Sequence, residues 1–255
     1  MMKEYKLFNM KFRYLLLAFG ILLCLSFYTS SQKDINSSLD LIKAMKAKYD
    51  GRWFKNFTFK QSTIIYNPNG TTKDPVIWYE SVGYPNHFRI DRDIVNYDYV
   101  IYKNDSAFYF RKDTLALERE EPKPHLLFKG GLYFMELSEC IAKLKEYGYN
   151  LDTFKKSTLN GELVYVIGDE NKQFWIHATH FYAMRRIYTS SKGQKIDAVY
   201  DDFKRLKKGW VEQKVTFYFD GKKRMEEFYQ EIKYRRKFDP KIYDQKLKYR
   251  WYLEY

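Results

Sequence analysis

The chain has little of what enzymes, metal centres and disulfide scaffolds depend on. Among 255 residues there are two cysteines, Cys24 and Cys140, and four histidines. Cys24 sits inside an N-terminal apolar run, so Cys140 is the one thiol expected in a mature chain. No internal disulfide can form, and stability must come from a packed core. Cys140 itself reads as a small buried hydrophobe. His177 and His180 are the one close histidine pair. Further ligands are not evident around them, so the pair reads as a turn between strands and no metal site is expected. No GxSxG, HExxH, P-loop or GxGxxG pattern is present. Asp91, Asp93, Glu118, Glu120 and Glu121 read as solvated faces and loops rather than an acid–base pair. Together these absences predict a protein that is not an enzyme and uses no cofactor. Fixed-period repeats and low-complexity linkers are missing too. No apolar run reaches the roughly 20 residues a transmembrane helix needs.

What is abundant is aromatic: 25 tyrosines and 20 phenylalanines, within a chain that is 45% hydrophobic. Aromatic side chains bury large areas and favour strands, so the composition leans toward β-structure around one sizeable core. The formal charge is +13, which suits an anionic partner or simply a solvated basic surface.

The N-terminus carries an export pattern. Lys3, Lys6, Lys11 and Arg13 precede the apolar run 15–25, and small residues follow at Thr29 and Ser31. That order predicts a signal peptide over 1–31, cleaved before Gln32, and a single domain over 32–255. The expected location is the periplasm. Lipid anchoring through Cys24 is the lesser alternative, because Leu23 stands where a lipobox needs a small residue. Export argues against nucleic acid as the target of the basic stretch 233–250. That stretch reads as a strand and extension with a solvated face, or as a docking patch.

Along the chain, Ser37 and Asp40 open a helix carried by Leu41, Ile42, Met45 and Tyr49 and stopped by Gly51. Alternation predicts strands at 56–66, 76–82, 87–91, 99–103 and 107–111. The charged, proline-containing segment 118–124 reads as a loop, and 133–147 as a helix ended by Gly148. Six further strands follow, at 162–168, 172–177, 181–189, 195–203, 210–219 and 222–233, with Asp220-Gly221 as a hairpin turn. The fold class is therefore mainly β (α+β): an incomplete antiparallel barrel or strongly curved sheet with helices on its concave face. Phe174 and Ile176 alternate with Trp175, and Phe217 and Phe219 with Tyr218. A sheet apolar on both sides must be covered on both sides. An ordinary filled core and a ligand space both satisfy this pattern.

Several segments in register resemble the LolA/LolB family of outer-membrane lipoprotein carriers. Thr58-Phe-Lys-Gln61 is similar to the family's early S-F-T-Q strand. The segment Trp78-Tyr-Glu-Ser-Val-Gly-Tyr-Pro-Asn-His-Phe88 is similar to its L-W-V-K-R-P-N-L-F stretch. Residues 100–111 resemble its hairpin, and the order of helices and strands agrees. The resemblance implies a carrier that shelters acyl chains in an apolar cavity for transfer toward the outer membrane. It further implies an acylated lipoprotein or lipid as ligand, an inner- or outer-membrane docking protein, and a monomer. The alternative is an envelope structural or interaction protein that uses the same fold without lipid transport. Candidate cavity residues are Phe57, Phe59, Trp78, Phe88, Phe108, Phe174, Trp175 and Phe217. Phe88 matches a functionally important family phenylalanine. The family's lid-latching arginine before the proline is replaced by Tyr84, and Arg89, just after Phe88, is the nearest cation in the lid-latch region.

Overall fold

A computed structural model describes residues 34–254. The signal peptide expected over 1–31, with Cys24 in it, lies outside the described residues. From Asn36 onward the chain forms one compact unit. Helix α1 (Ser38–Tyr49) begins where expected: the Ser37 hydroxyl accepts from the Asp40 amide at 3.0 Å, and Leu41, Ile42, Met45 and Tyr49 are buried.

Six strands follow in sequence: β1 (Asn56–Ile65), β2 (Val76–Gly83), β3 (His87–Asp93), β4 (Asp98–Lys103), β5 (Ser106–Arg111) and β6 (Thr114–Glu120). Helix α2 (Pro124–Lys129), a 3-10 turn at Gly131–Phe134 and helix α3 (Leu137–Glu146) interrupt them. The second half contributes β7 (Phe154–Leu159), β8 (Glu162–Ile167), β9 (Lys172–His177), β10 (Ala183–Thr189), β11 (Lys195–Asp201), the short hairpin β12 (Lys204–Leu206) and β13 (Gly209–Val211), β14 (Lys214–Phe219) and β15 (Lys222–Arg235).

Thirteen strands form one sheet in the order β6-β5-β4-β3-β2-β1-β15-β14-β11-β10-β9-β8-β7. The two halves meet where β1 runs antiparallel to the long β15, with Asn56 opposite Arg235 and Ile65 opposite Met225. Register shifts in this pair, in β14–β15 and in β9–β10 place bulges that bend the sheet. The sheet does not close, and β6 and β7 remain its edges. The mainly β, unclosed antiparallel architecture is the one the sequence predicts.

Four parts of the fold differ from the expectation. Residues 114–120 are an edge strand, not a loop start; every residue of β6 is exposed, so no apolar alternation betrays it. β7 and the β12–β13 hairpin also escape the periodicity, being short or mostly solvated. The helix expected over 133–147 is split, because residues through Phe134 form the 3-10 turn and α3 begins only at Leu137. Cys140 is fully buried on α3, and burial pushes its thiol up to about 12.

Both faces of the sheet are covered. On the concave face, Phe128 of α2 packs against Phe174 at 4.1 Å between ring centroids, and Tyr149 after α3 joins them. On the convex face the chain after β15 returns over β4 and β5. There Ile242, Tyr243 and Trp251 bury against Tyr99, Ile101, Phe108 and Phe110. The basic stretch read as a solvated extension is therefore anchored by its apolar residues. No helix among the described residues is long and apolar enough to cross a membrane.

Candidate functional site

Alternation along the strands decides what faces the concave side. In β1 it is Phe57 and Phe59; in β2, Trp78, Glu80 and Val82; in β3, Phe88, Ile90 and Arg92. With residues from β11, β14 and β15 and a roof from α2, they enclose a cavity of about 750 Å³. That volume lies within the range of pockets for small organic ligands, roughly 300–1,000 Å³. Aromatic rings pave the wall: Phe57 stacks on Phe59 at 5.6 Å, Phe59 on Tyr229 at 4.2 Å, and Phe88 on Tyr102 at 5.7 Å.

Of the eight cavity residues expected from the sequence, the structure brings Phe57, Phe59, Trp78, Phe88 and Phe217 into this wall. The other three lie elsewhere. Phe108 points to the convex face, into the cluster closed by Trp251. Trp175 packs on Val164, Val166 and Met184, again on the convex face, because it alternates with Phe174 and Ile176 along β9. Phe174 is on the concave side, but α2 and Tyr149 fill the space over it. The strands carry apolar residues on both faces, so hydrophobicity alone does not name the inner one.

The latch-region residues also separate. Tyr84 lines the cavity, and its hydroxyl donates to the Lys129 carbonyl at 3.0 Å, which ties the end of β2 to the roof helix. On the other side of the same helix, Lys129 forms an ion pair with the buried Glu212. Arg89 does not face the roof at all. It is wholly buried on the convex side, donating to both Asp91 oxygens at 2.8 and 2.9 Å and to the Ile242 carbonyl.

The sequence reading missed the polar part of the cavity. Glu80 and Glu227 line it, each under a tenth exposed. Burial holds Glu80 well above the usual carboxylate range; the charge of Glu227 adds to this, and Lys129 and Arg92 oppose it. Glu227 is pushed up to about 7, again by burial first, with Lys129 opposing. Both carboxyls therefore ionise less readily than a solvated glutamate. A signal existed: once Trp78 and Phe88 are placed inside, a two-residue step puts Glu80 and Arg92 beside them.

A scan against protein-family models and a search of the curated proteins return no match. The likeness is in the fold. A LolA superfamily protein from Nitrosomonas europaea superposes with a TM-score of 0.55 at 10% identity, over 82% of this chain and 98% of that one. A domain from Vibrio parahaemolyticus, described as outer membrane lipoprotein-sorting, gives 0.55 at 13% identity over 81% and 96%. A DUF1329 family protein from Desulfovibrio piger gives 0.52 at 12% identity over 81% and 95%. The chain thus has the fold of a LolA superfamily protein, over nearly the full length of each of these structures.

Proposed function

We propose that the protein is an exported, non-enzymatic carrier that shelters acyl chains in the concave cavity and passes an acylated lipoprotein or lipid toward the outer membrane. The carrying observation is the roofed cavity of about 750 Å³ with aromatic walls inside a sheet that stays open. Removing acyl methylenes from water contributes roughly 0.8 kcal/mol each, so a long chain binds such a wall without any specific polar contact. The lipoprotein-sorting description of the Vibrio domain, which has the same fold, agrees with this reading. The N-terminal pattern supports delivery to the periplasm, with the protein acting there as a monomer that meets a membrane docking protein.

The test is lipid mass spectrometry on full-length chain expressed with export and purified from the envelope. Stoichiometric acyl lipid or lipoprotein is expected on the wild type. Ile196→Trp adds a ring into the open cavity space from β11. It is expected to cut the retained lipid at least tenfold while the thermal midpoint stays close to that of the wild type. A folded wild type that retains no acyl ligand and takes none up from micelles removes the carrier reading and leaves the envelope interaction protein.

A further inference from the structure

The cavity is not electrically even. Where the sheet fails to close, its lining contains four cations, Arg92, Arg119, Lys123 and Arg186, against two carboxylates, Glu120 and Glu121. Their pairing is unequal. Glu121 holds both Lys123, at 2.6 Å, and Arg119, also at 2.6 Å. It is held down at about 2; burial opposes ionisation, but hydrogen bonds from Lys123, Tyr109 and Arg119 overcome it. Arg119 and Lys123 are thus already engaged. Lys129, farther in, is engaged by Glu212.

Arg92 and Arg186 are different. Among the described residues neither has a carboxylate within ion-pair distance. Arg92 ends over the Trp78 ring at 5.5 Å, and Arg186 ends over Tyr188 at 3.9 Å. The Nε of Arg186 is buried without a well-formed hydrogen bond, with the Tyr149 hydroxyl as its polar neighbour. They stand on strands far apart in the sheet order, yet both line the one cavity. Lys123 is held below its usual value first by burial and then, against Glu121, by both Arg186 and Arg92. The inward-facing His125 is held well below its usual value by burial first, then by Lys129, Arg186 and Lys123, so it contributes no competing charge near neutrality. Two guanidinium groups, each over an aromatic ring in the lining of one cavity, leave donor edges for one planar or tetrahedral anion.

Building on the carrier reading, we infer that the ligand is an amphiphile with an anionic head, a carboxylate or a phosphate, clasped between Arg92 and Arg186 while its acyl chain fills the aromatic interior. Glu120, on the exposed edge strand, is the one carboxylate of the mouth outside the paired group, and it favours an anion seated toward Arg92 and Arg186 rather than toward β6.

The test compares ligands of one chain length that differ in the head: oleate, oleoyl lysophosphatidate, and the neutral methyl oleate and monooleoylglycerol. Affinities are read by displacement of a fluorescent acyl probe from the full chain. The wild type is expected to prefer at least one anionic ligand over the neutral ones at least tenfold, and whichever of oleate and lysophosphatidate binds tighter names the head. In Arg92→Gln/Arg186→Gln the preference is expected to vanish, the anionic ligands falling to the affinity of the neutral ones. Arg92→Gln alone should lose several-fold of the preference; this side chain is exposed over the Trp78 ring and outside the core, so that variant stays informative if the double variant fails to fold. Equal binding of neutral and anionic ligands by the wild type, or a preference that survives both substitutions, overturns the clasp but leaves the carrier. No binding by any of the four overturns both.

Discussion

Arg89→Met is expected to lower the unfolding free energy by about 3–5 kcal/mol, the typical cost of removing one partner from a buried ion pair. Arg89 is fully buried, and all its bonds are internal: two to Asp91, one to the Ile242 carbonyl, and its plane 4.3 Å from the Tyr99 ring centre. Asp91 in turn accepts from the Trp251 indole at 2.8 Å. The cluster therefore joins β3 and β4 to the chain after β15, and losing it loosens the whole convex cover. The sign with pH is fixed. Burial already raises Asp91, with Arg89 the first influence opposing it. Without Arg89 the carboxyl rises further, and its penalty grows as pH climbs through that higher value. The deficit should be largest at neutral and alkaline pH and shrink on acidification. Arg89→Met/Asp91→Asn removes the stranded charge while keeping an acceptor for Trp251, and is expected to recover most of the loss. Denaturant unfolding at pH 5 and pH 8 measures both. A single variant within 1 kcal/mol of the wild type at pH 8 would sink the account.

That cluster also shows where sequence reading stops. Local signals were legible: the Ser37 cap, the α1 stripe of Leu41, Ile42 and Met45, and the Asp220-Gly221 turn all depend on neighbours within a few positions. The curved sheet followed from the strand count and the short turns. What failed was the choice of face. Phe57 and Phe108 are equally apolar and equally placed within alternating strands, yet one meets the cavity and the other meets Trp251, 143 positions further along. Only the path of the chain after β15 distinguishes them, and that path is a long-range property. The β6 edge failed for the opposite reason: with all seven residues exposed, it carries no burial pattern to read. Arg89 was placed in the lid-latch region because one sequence cannot reveal that its side of the strand is covered by the chain after β15. The cavity's acids went unread until the inner face was known.

Those acids give the second large effect. Replacing both with isosteric amides, Glu80→Gln/Glu227→Gln, is expected to stabilise the protein at pH 8 by on the order of 3 kcal/mol, a scale set by 1.36 kcal/mol per unit of pKa displacement. In the folded state Glu227 titrates near 7 and Glu80 is raised as well, both through burial first. In the unfolded chain each returns to the ordinary glutamate range. Below that range both states are protonated, and the variant should match the wild type. As pH rises through it, the unfolded wild type ionises while the folded one holds its protons, so the wild type loses stability relative to the variant until pH passes the folded values. His87 and His125 are lowered by burial and act in the reverse direction below neutrality, but they are common to both proteins and cancel in the difference. The thermal midpoints should therefore coincide near pH 4 and separate by roughly 6–12 °C at pH 8, at 2–4 °C per kcal/mol for a domain of this size. A constant difference across pH, or one that shrinks toward pH 8, would show that the pair is ionised in the folded state. The native pair then has a cost that packing alone cannot explain. It keeps donors and acceptors among the aromatic walls of the cavity, and its neutral form is the one compatible with an acyl chain lying beside it.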